Sequence, residues 1–356
     1  AGNLFTLFLF YEVLTLSTYP LVTHKANAEA MASGRIYLLL LLGTSMVLLL
    51  PAIIATGVLA GTLDFTAGGI LAGKLGATGL GVLLALYMFG IGKAALMPMH
   101  FWLPAAMVAP TPVSALLHAV AVVKAGVFTV VKVVVYVFGI DLLKETGAGD
   151  WLIYAAGFTV IAASLVALQQ DNLKKRLAYS TVSQLSYVIL AAAILTPLSI
   201  IGAALHIAAH AVSKITLFFA AGSVYTAAHV TEISRMNGIG RRMPWTMGAF
   251  AIGALSMIGV PPTVGFTSKW FMLSGAMSDS NWIALFVIFV STMLNAGYFL
   301  PILYRAFFLE PDPEVHAHGE APLPIVIAVS ATAAGTLILF LFPDLVLALA
   351  SAIAVR

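Results

Sequence analysis

The chain has 356 residues, 61% of them hydrophobic and 9% charged, with a formal net charge of +3 and no cysteine. A soluble domain carries about 25% charged residues, so this composition belongs to an all-α polytopic membrane protein embedded in a lipid bilayer. The small net charge argues against a nucleic-acid partner. The lack of cysteine excludes disulfides, thiol redox centres and thiolate-bound metals.

Ten apolar segments follow in order, at about 3–23, 35–60, 78–97, 113–138, 151–170, 178–195, 198–225, 244–277, 282–308 and 323–349. Ala1-Gly2-Asn3-Leu4-Phe5 runs straight into the first, with no initiator Met and no basic leader. That is unlike a signal peptide and is expected of the latter part of a longer protein. The first segment holds Glu12, the one acid well inside an apolar run. A buried carboxylate needs a nearby cation or its own proton. Lys93 is the candidate partner, and a neutral, hydrogen-bonded Glu12 is the alternative.

In the third segment Gly90, Gly92 and Pro98 surround Lys93, and in the eighth Pro261, Pro262 and Gly265 precede Lys269. Glycine and proline at membrane depth free backbone groups, and such broken helices line cavities. Paired breaks in two halves indicate inverted repeats around a transport site. The predicted architecture is therefore inverted five-helix repeats with two broken helices in one transmembrane unit over 1–356. About 1–138 is the remainder of the first repeat, about 151–308 the second, and about 323–349 a C-terminal helix.

The fourth segment carries His118 and Lys124 six residues apart. On a regular helix that is a rotation of about 240°, so the two are expected to face different neighbours. Lys132 lies near the segment's end and is expected to snorkel. His100, in the link Met99-His100-Phe101-Trp102, is equally suited to interfacial anchoring and to proton conduction. The turn Asp171-Asn172-Leu173-Lys174-Lys175-Arg176 and the stretch Thr231–Arg242 read as solvated or anchoring surface. Ile233, Met236 and Ile239 suit the second to a short amphipathic element on the cytoplasmic surface.

The seventh segment has His206, His210 and Lys214 at i, i+4, i+8. Each step turns a helix by about 40° and rises about 6 Å, so all three share one face over about 12 Å of depth. Ionisable groups in hydrocarbon are functional by default, and histidine titrates near neutrality. The face reads as a row of proton stations. His229, His316 and His318 fall in loops, and the His-x-His of the 310–320 loop reads as solvated surface rather than a metal site.

Of the seventeen basic residues, Lys93, Lys124, Lys132, Lys214 and Lys269 lie within the apolar segments. In the loops, one side collects Lys25, Arg35, Lys174, Lys175, Arg176, Arg235, Arg241, Arg242 and Arg305; the other has Lys74, Lys144 and Arg356. The richer side is predicted to be cytoplasmic, which puts the chain's N-terminus outside.

The strings His100-Phe-Trp-Leu-Pro104, Ala109-Pro-Thr-Pro-Val-Ser-Ala-Leu-Leu-His118 and Lys124-Ala-Gly126 resemble a known family of proton-conducting membrane subunits. So do Asp171-Asn-Leu-Lys-Lys-Arg-Leu-Ala-Tyr-Ser-Thr181 and His206 to Phe219. That family is shared by Mrp-type cation/proton antiporters, respiratory complex I and membrane-bound hydrogenases. The chain looks most like a D-like Mrp subunit, while its fourth segment also resembles the large A-type subunits.

The resemblance implies a core of fourteen helices, of which these ten segments would be helices 5–14, with about four N-terminal helices missing. It implies that Glu12 and Lys93 form an ion pair, that Lys124 leads toward the centre and that His206, His210 and Lys214 form the middle of a polar axis. Lys269 takes the last key position. The implied partners are other membrane subunits of a hetero-oligomer in a bacterial or archaeal plasma membrane. Protons, and Na⁺ or K⁺, would be the cargo. No cofactor motif is present, so the chain reads as a transporter subunit rather than an enzyme in itself. The same module in a redox complex is the alternative. A solute carrier or a structural scaffold fits a row of buried lysines and histidines less well.

Overall fold

The computed structural model describes residues 1–311 and 319–354. Among them the chain forms α1 (Leu4–Val22), α2 (Ala28–Thr44), α3 (Leu50–Ala60), α4 (Ala77–Gly90), α5 (Trp102–Ala105), α6 (Thr111–Ala115), α7 (Val122–Val133), α8 (Ile140–Thr146) and α9 (Asp150–Gln169). There follow α10 (Leu173–Ala193), α11 (Pro197–Ala228), α12 (Ile239–Arg242), α13 (Pro244–Ile258), α14 (Val264–Ser278), α15 (Trp282–Phe308), α16 (Leu323–Leu341) and α17 (Asp344–Ala354). A π turn at Ser45–Leu49 joins α2 to α3. Two more, Leu116–Val120 and Val134–Phe138, flank α7, so that 111–138 makes one long span. His316 and His318 lie outside the described residues.

The central pillar is α11, which touches α6, α7, α10, α13, α14, α16 and α17. Its start is fixed by a capping box between Thr196 and Ser199 with Pro197 in the first turn, which satisfies the orphan N–H groups of a helix end. Beside it, α10 is capped by Asn172, whose side chain accepts from the Lys175 amide at 3.1 Å. Seven spans among the described residues are long and apolar enough to cross a membrane; α10 is not one of them. It carries Ser180, Thr181, Ser183, Gln184 and Ser186, all buried. A helix enclosed by protein on every side has no lipid to match, so it can be polar throughout.

Both predicted breaks are present. The third segment's helix stops at Gly90, and Lys93 sits in a 3-10 turn, Gly92–Ala94. The eighth segment divides into α13 and α14 around Gly259–Thr263, as proline's missing N–H and fixed φ require. Gly259 takes φ +93°, and a Cβ there would press on the Lys269 stem at 2.8 Å; only glycine suits that point.

Three expectations change. The last segment is two helices, because Pro343 ends α16 at Phe342. The stretch Thr231–Arg242 does not present an apolar face at the surface: Ile233, Met236 and Ile239 are buried, with Ser234 donating to Asp171 at 2.7 Å and Arg305 to Asn237 at 3.1 Å. The charged turn before α10 is likewise built in. Arg176 donates to the carbonyls of Gln170, Tyr298 and Leu168.

The loop contacts sort by end of the bundle. The 171–176 turn, the 231–242 stretch and Arg305 meet at one end. Among the described residues the one salt bridge, Lys144–Asp279 at 2.6 Å, joins α8 to the C-terminal end of α14.

Candidate functional site

The buried ionisable side chains form a line through the bundle rather than a pocket. It starts at α1, where Glu12 is buried and neither carboxylate oxygen has a hydrogen-bond partner in the protein. The expected ion pair with Lys93 is not made. The Lys93 ammonium donates instead to the Tyr11 carbonyl at 2.5 Å and lies 3.1 Å from the centre of the Tyr11 ring. The physical reason is the break itself. Lys93 sits in a turn whose amide also donates to the Tyr11 hydroxyl at 3.1 Å, and this double contact aims the side chain at residue 11 rather than 12. Glu12 still feels the Lys93 charge and lies beside Ser45 in the π turn.

The span 111–138 meets this turn through Gly126, where a Cβ would collide with the backbone of Lys93 and Ala94. That close approach lets Lys124 reach inward. Its ammonium meets His210 Nδ1 at 2.5 Å, both residues buried. Among the described residues no hydrogen bond or salt bridge joins the Lys93 and Lys124 side chains.

His118 and Lys124 were expected to face different neighbours, yet both lie against α11. The His118 ring packs on Phe218 at 5.3 Å, while Lys124 meets His210. The cause is the π turn Leu116–Val120, which contains His118 and adds a residue to the turn. The 240° of a regular helix therefore does not apply. Both His118 ring nitrogens lack protein partners, the circumstance in which buried polar groups bind ordered water.

His206, His210 and Lys214 share a face as their spacing predicts, with the two imidazoles 6.3 Å apart. Their contacts fan out to other helices. His206 Nε2 meets Gln184 Oε1 and Nδ1 meets Ser268 Oγ, both at 2.9 Å. Since Gln184 Oε1 can only accept, Nε2 carries a proton. Ser268 either donates to Nδ1 or turns to the Gly265 carbonyl at 3.0 Å and accepts a proton from Nδ1. One hydroxyl rotation thus accommodates both the neutral and the charged imidazole. Lys214 donates to Ser180 Oγ and lies 5.7 Å from the Phe299 ring centre.

Lys269 caps the first half of the broken helix. Its ammonium donates to the carbonyls of Met257 at 3.0 Å and Ile258 at 2.9 Å, the negative end of the α13 dipole. Tyr187 lies beneath it at 4.8 Å.

The remaining lysines and His100 fall outside this line. Lys132 is held by aromatic rings, with Phe65 at 4.1 Å. His100 is buried against Phe101 and Tyr179, not exposed at an interface. Lys174, in the first turn of α10, donates to the carbonyls of Met107 and Ala109 at 2.8 and 2.7 Å. Burial, reinforced by the charge of Lys25, pushes its amine down to about 8. Gln184, Ser268 and Ser180 were missed from the sequence. The only signal for them was their polarity inside otherwise apolar helices.

Residues 1–295 match the family described as NADH:quinone oxidoreductase/Mrp antiporter, transmembrane. NADH-quinone oxidoreductase subunit N of Desulforudis audaxviator is 33% identical over 86% of this chain and 61% of its own length. The A/B component of a probable K(+)/H(+) antiporter of Rhizobium meliloti is 32% identical over 88% of this chain and 32% of its own length. The chain thus spans less than two thirds of either relative. A chain of the Mrp complex from Dietzia sp. superposes with a TM-score of 0.87 at 23% identity, over 99% of this chain and 74% of that one. With the match covering most of its length, this membrane-embedded chain belongs to the NADH:quinone oxidoreductase/Mrp antiporter transmembrane family.

Proposed function

We propose that this chain is the proton-translocating subunit of a multisubunit Mrp-type monovalent cation/proton antiporter. The observation that carries the reading is the buried Lys124–His210 contact at 2.5 Å, which joins the two halves of the chain. Protons would pass along Glu12, Lys93, Lys124, the His210, His206 and Lys214 row of α11, and Lys269, with His118 beside that row. At about 6–8 Å and an effective dielectric constant near 20, one charge shifts its neighbour by about 2–3 kcal/mol. That is enough to move a proton at each step, because 1.36 kcal/mol corresponds to one pKa unit. The Ser268 rotation supports His206 as a station that holds either charge state.

In this reading 1–138 and 151–308 act as the two repeats, other membrane subunits supply the rest of the complex, and Na⁺ or K⁺ is the counter-ion. The count of basic residues in the loops favours a cytoplasmic 171–176 end, with the first residues on the outer side of a bacterial or archaeal plasma membrane. A second reading, the same module in a redox complex, draws support from the NADH-quinone oxidoreductase relative, of which this chain spans the larger share. Mass spectrometry of the copurifying subunits separates the two, since flavin, iron–sulfur or nickel proteins would sink the antiporter.

The translocation itself is tested with Lys214→Ala in the assembled complex, using gradient-driven pH change in vesicles. The variant is expected to assemble and to transport no protons. Wild-type flux would remove Lys214, and the row it belongs to, from the pathway.

A further inference from the structure

Between Lys214 and Lys269 runs a second connection, which meets the histidine row only at Gln184, the partner of His206. Ser180 receives the Lys214 ammonium, and one turn along α10 stands Gln184. The Tyr298 hydroxyl, from α15, faces both of these side chains. It donates to Asn295 Oδ1 at 2.5 Å. The Asn295 amide in turn donates to the Met257 carbonyl at 3.3 Å, and that carbonyl also accepts the Lys269 ammonium at 3.0 Å. Ser180, Gln184, Asn295 and Tyr298 are all fully buried.

We infer that Tyr298 and Asn295 are positioning residues that couple the charge on Lys214 to the charge on Lys269, in parallel with the His210–His206 route. The inference rests on the proton-translocating reading above. An amide relays protons poorly, so the link transmits polarisation rather than protons. Its switch is the tyrosine hydroxyl, which has one hydrogen and can give it to Asn295 or turn it toward Ser180 and Gln184, not both. With Lys214 charged, Ser180 is held as an acceptor of the ammonium and Tyr298 donates to Asn295. Asn295 is then fixed with its amide on the Met257 carbonyl, where it competes with the Lys269 ammonium for the same oxygen. When Lys214 gives up its proton, Ser180 is free to turn its hydroxyl to the amine. Tyr298 then follows Ser180, and the hold on Asn295 and Met257 loosens. Chains of buried hydrogen bonds polarise one another in this way.

The groups that set the pH response are few. Lys269 faces Tyr187 from α10 and His206 from α11. Lys214 acts on Lys124 and His118 from the 111–138 span and on His210 from its own helix.

The test is proton flux against pH in vesicles holding the assembled complex, with Tyr298→Phe and Asn295→Leu alongside Lys214→Ala. Tyr298→Phe removes one hydroxyl and keeps the ring, so it decides the matter even where Asn295→Leu fails to assemble. The expected result is a flux about fivefold lower, the factor carried by one buried hydrogen bond, together with a displaced pH profile. Wild-type flux and profile in Tyr298→Phe, with Lys214→Ala inactive, would overturn the inference and leave the proposed function standing. A lower flux with an unmoved profile would also overturn it, because a residue that only fills space slows transport at every pH alike. Wild-type flux in Lys214→Ala would take down the function and this inference together.

Discussion

Lys93 and Lys269 are both buried lysines at a helix break, yet they solve the burial problem differently. Lys269 has the carbonyl end of its own broken helix to receive it, whereas Lys93 turns to a carbonyl and a ring of another helix. Sequence indicates that each is buried and marks it as a candidate station, since a lysine among apolar residues at a Gly/Pro break is costly to keep. It does not indicate which neighbour receives the ammonium. Residues 11 and 12 are adjacent, and only the turn at Gly92–Ala94 decides between them. Lys174 carries a different lesson. With its amine pushed down to about 8, the folded state binds fewer protons than the unfolded state from about pH 8 to the ordinary lysine range near 10.4. The charged amine therefore costs stability below that window, and the cost disappears as pH rises through it. Thermal unfolding of the purified complex should gain stability over this range relative to Lys174→Met. Parallel pH curves for the two proteins would show that Lys174 is not held as described.

At the scale of elements, the Gly/Pro pattern located both breaks because proline and glycine act on the backbone directly, whatever surrounds them. Two things it could not reveal were the π turns and the burial of 231–242, whereas the split at Pro343 was legible in the same pattern and was missed. The π turn at Leu116–Val120 has no composition of its own, and it reversed the expected facing of His118 and Lys124. Helix α10 was placed within a few residues, but its Ser180 and Gln184 look from sequence like ordinary tolerated polar residues. Their roles come from the helices packed around them. The broken helix α13–α14 carries a prediction. Lys269→Glu should keep part of the proton flux, since a titratable group remains at the break, whereas Lys269→Met should keep none. Full flux with methionine would make the lysine a structural cap of α13 and place the exit elsewhere.

For the whole molecule, the line of buried groups runs across the bundle rather than opening into a single midplane chamber. It changes helix at most steps, from α1 to the Lys93 turn, from α7 to α11, and from α11 to α10 and α14, and follows one helix only along the His210, His206 and Lys214 face of α11. Stations on separate helices let small displacements between helices make or break a contact, which a row on one rigid helix would not allow. The step between α7 and α11 is the narrowest, because there Lys124 and His210 touch directly. If protons cross the bundle, they cross there. The most direct measurement is therefore proton flux across vesicles containing the assembled complex with Lys124→Met, a change that keeps an unbranched side chain one atom shorter and removes its charge. The account predicts normal assembly and flux below about a tenth of wild type, the loss expected when a proton-transfer group is deleted. Wild-type flux in a correctly assembled Lys124→Met complex would contradict it.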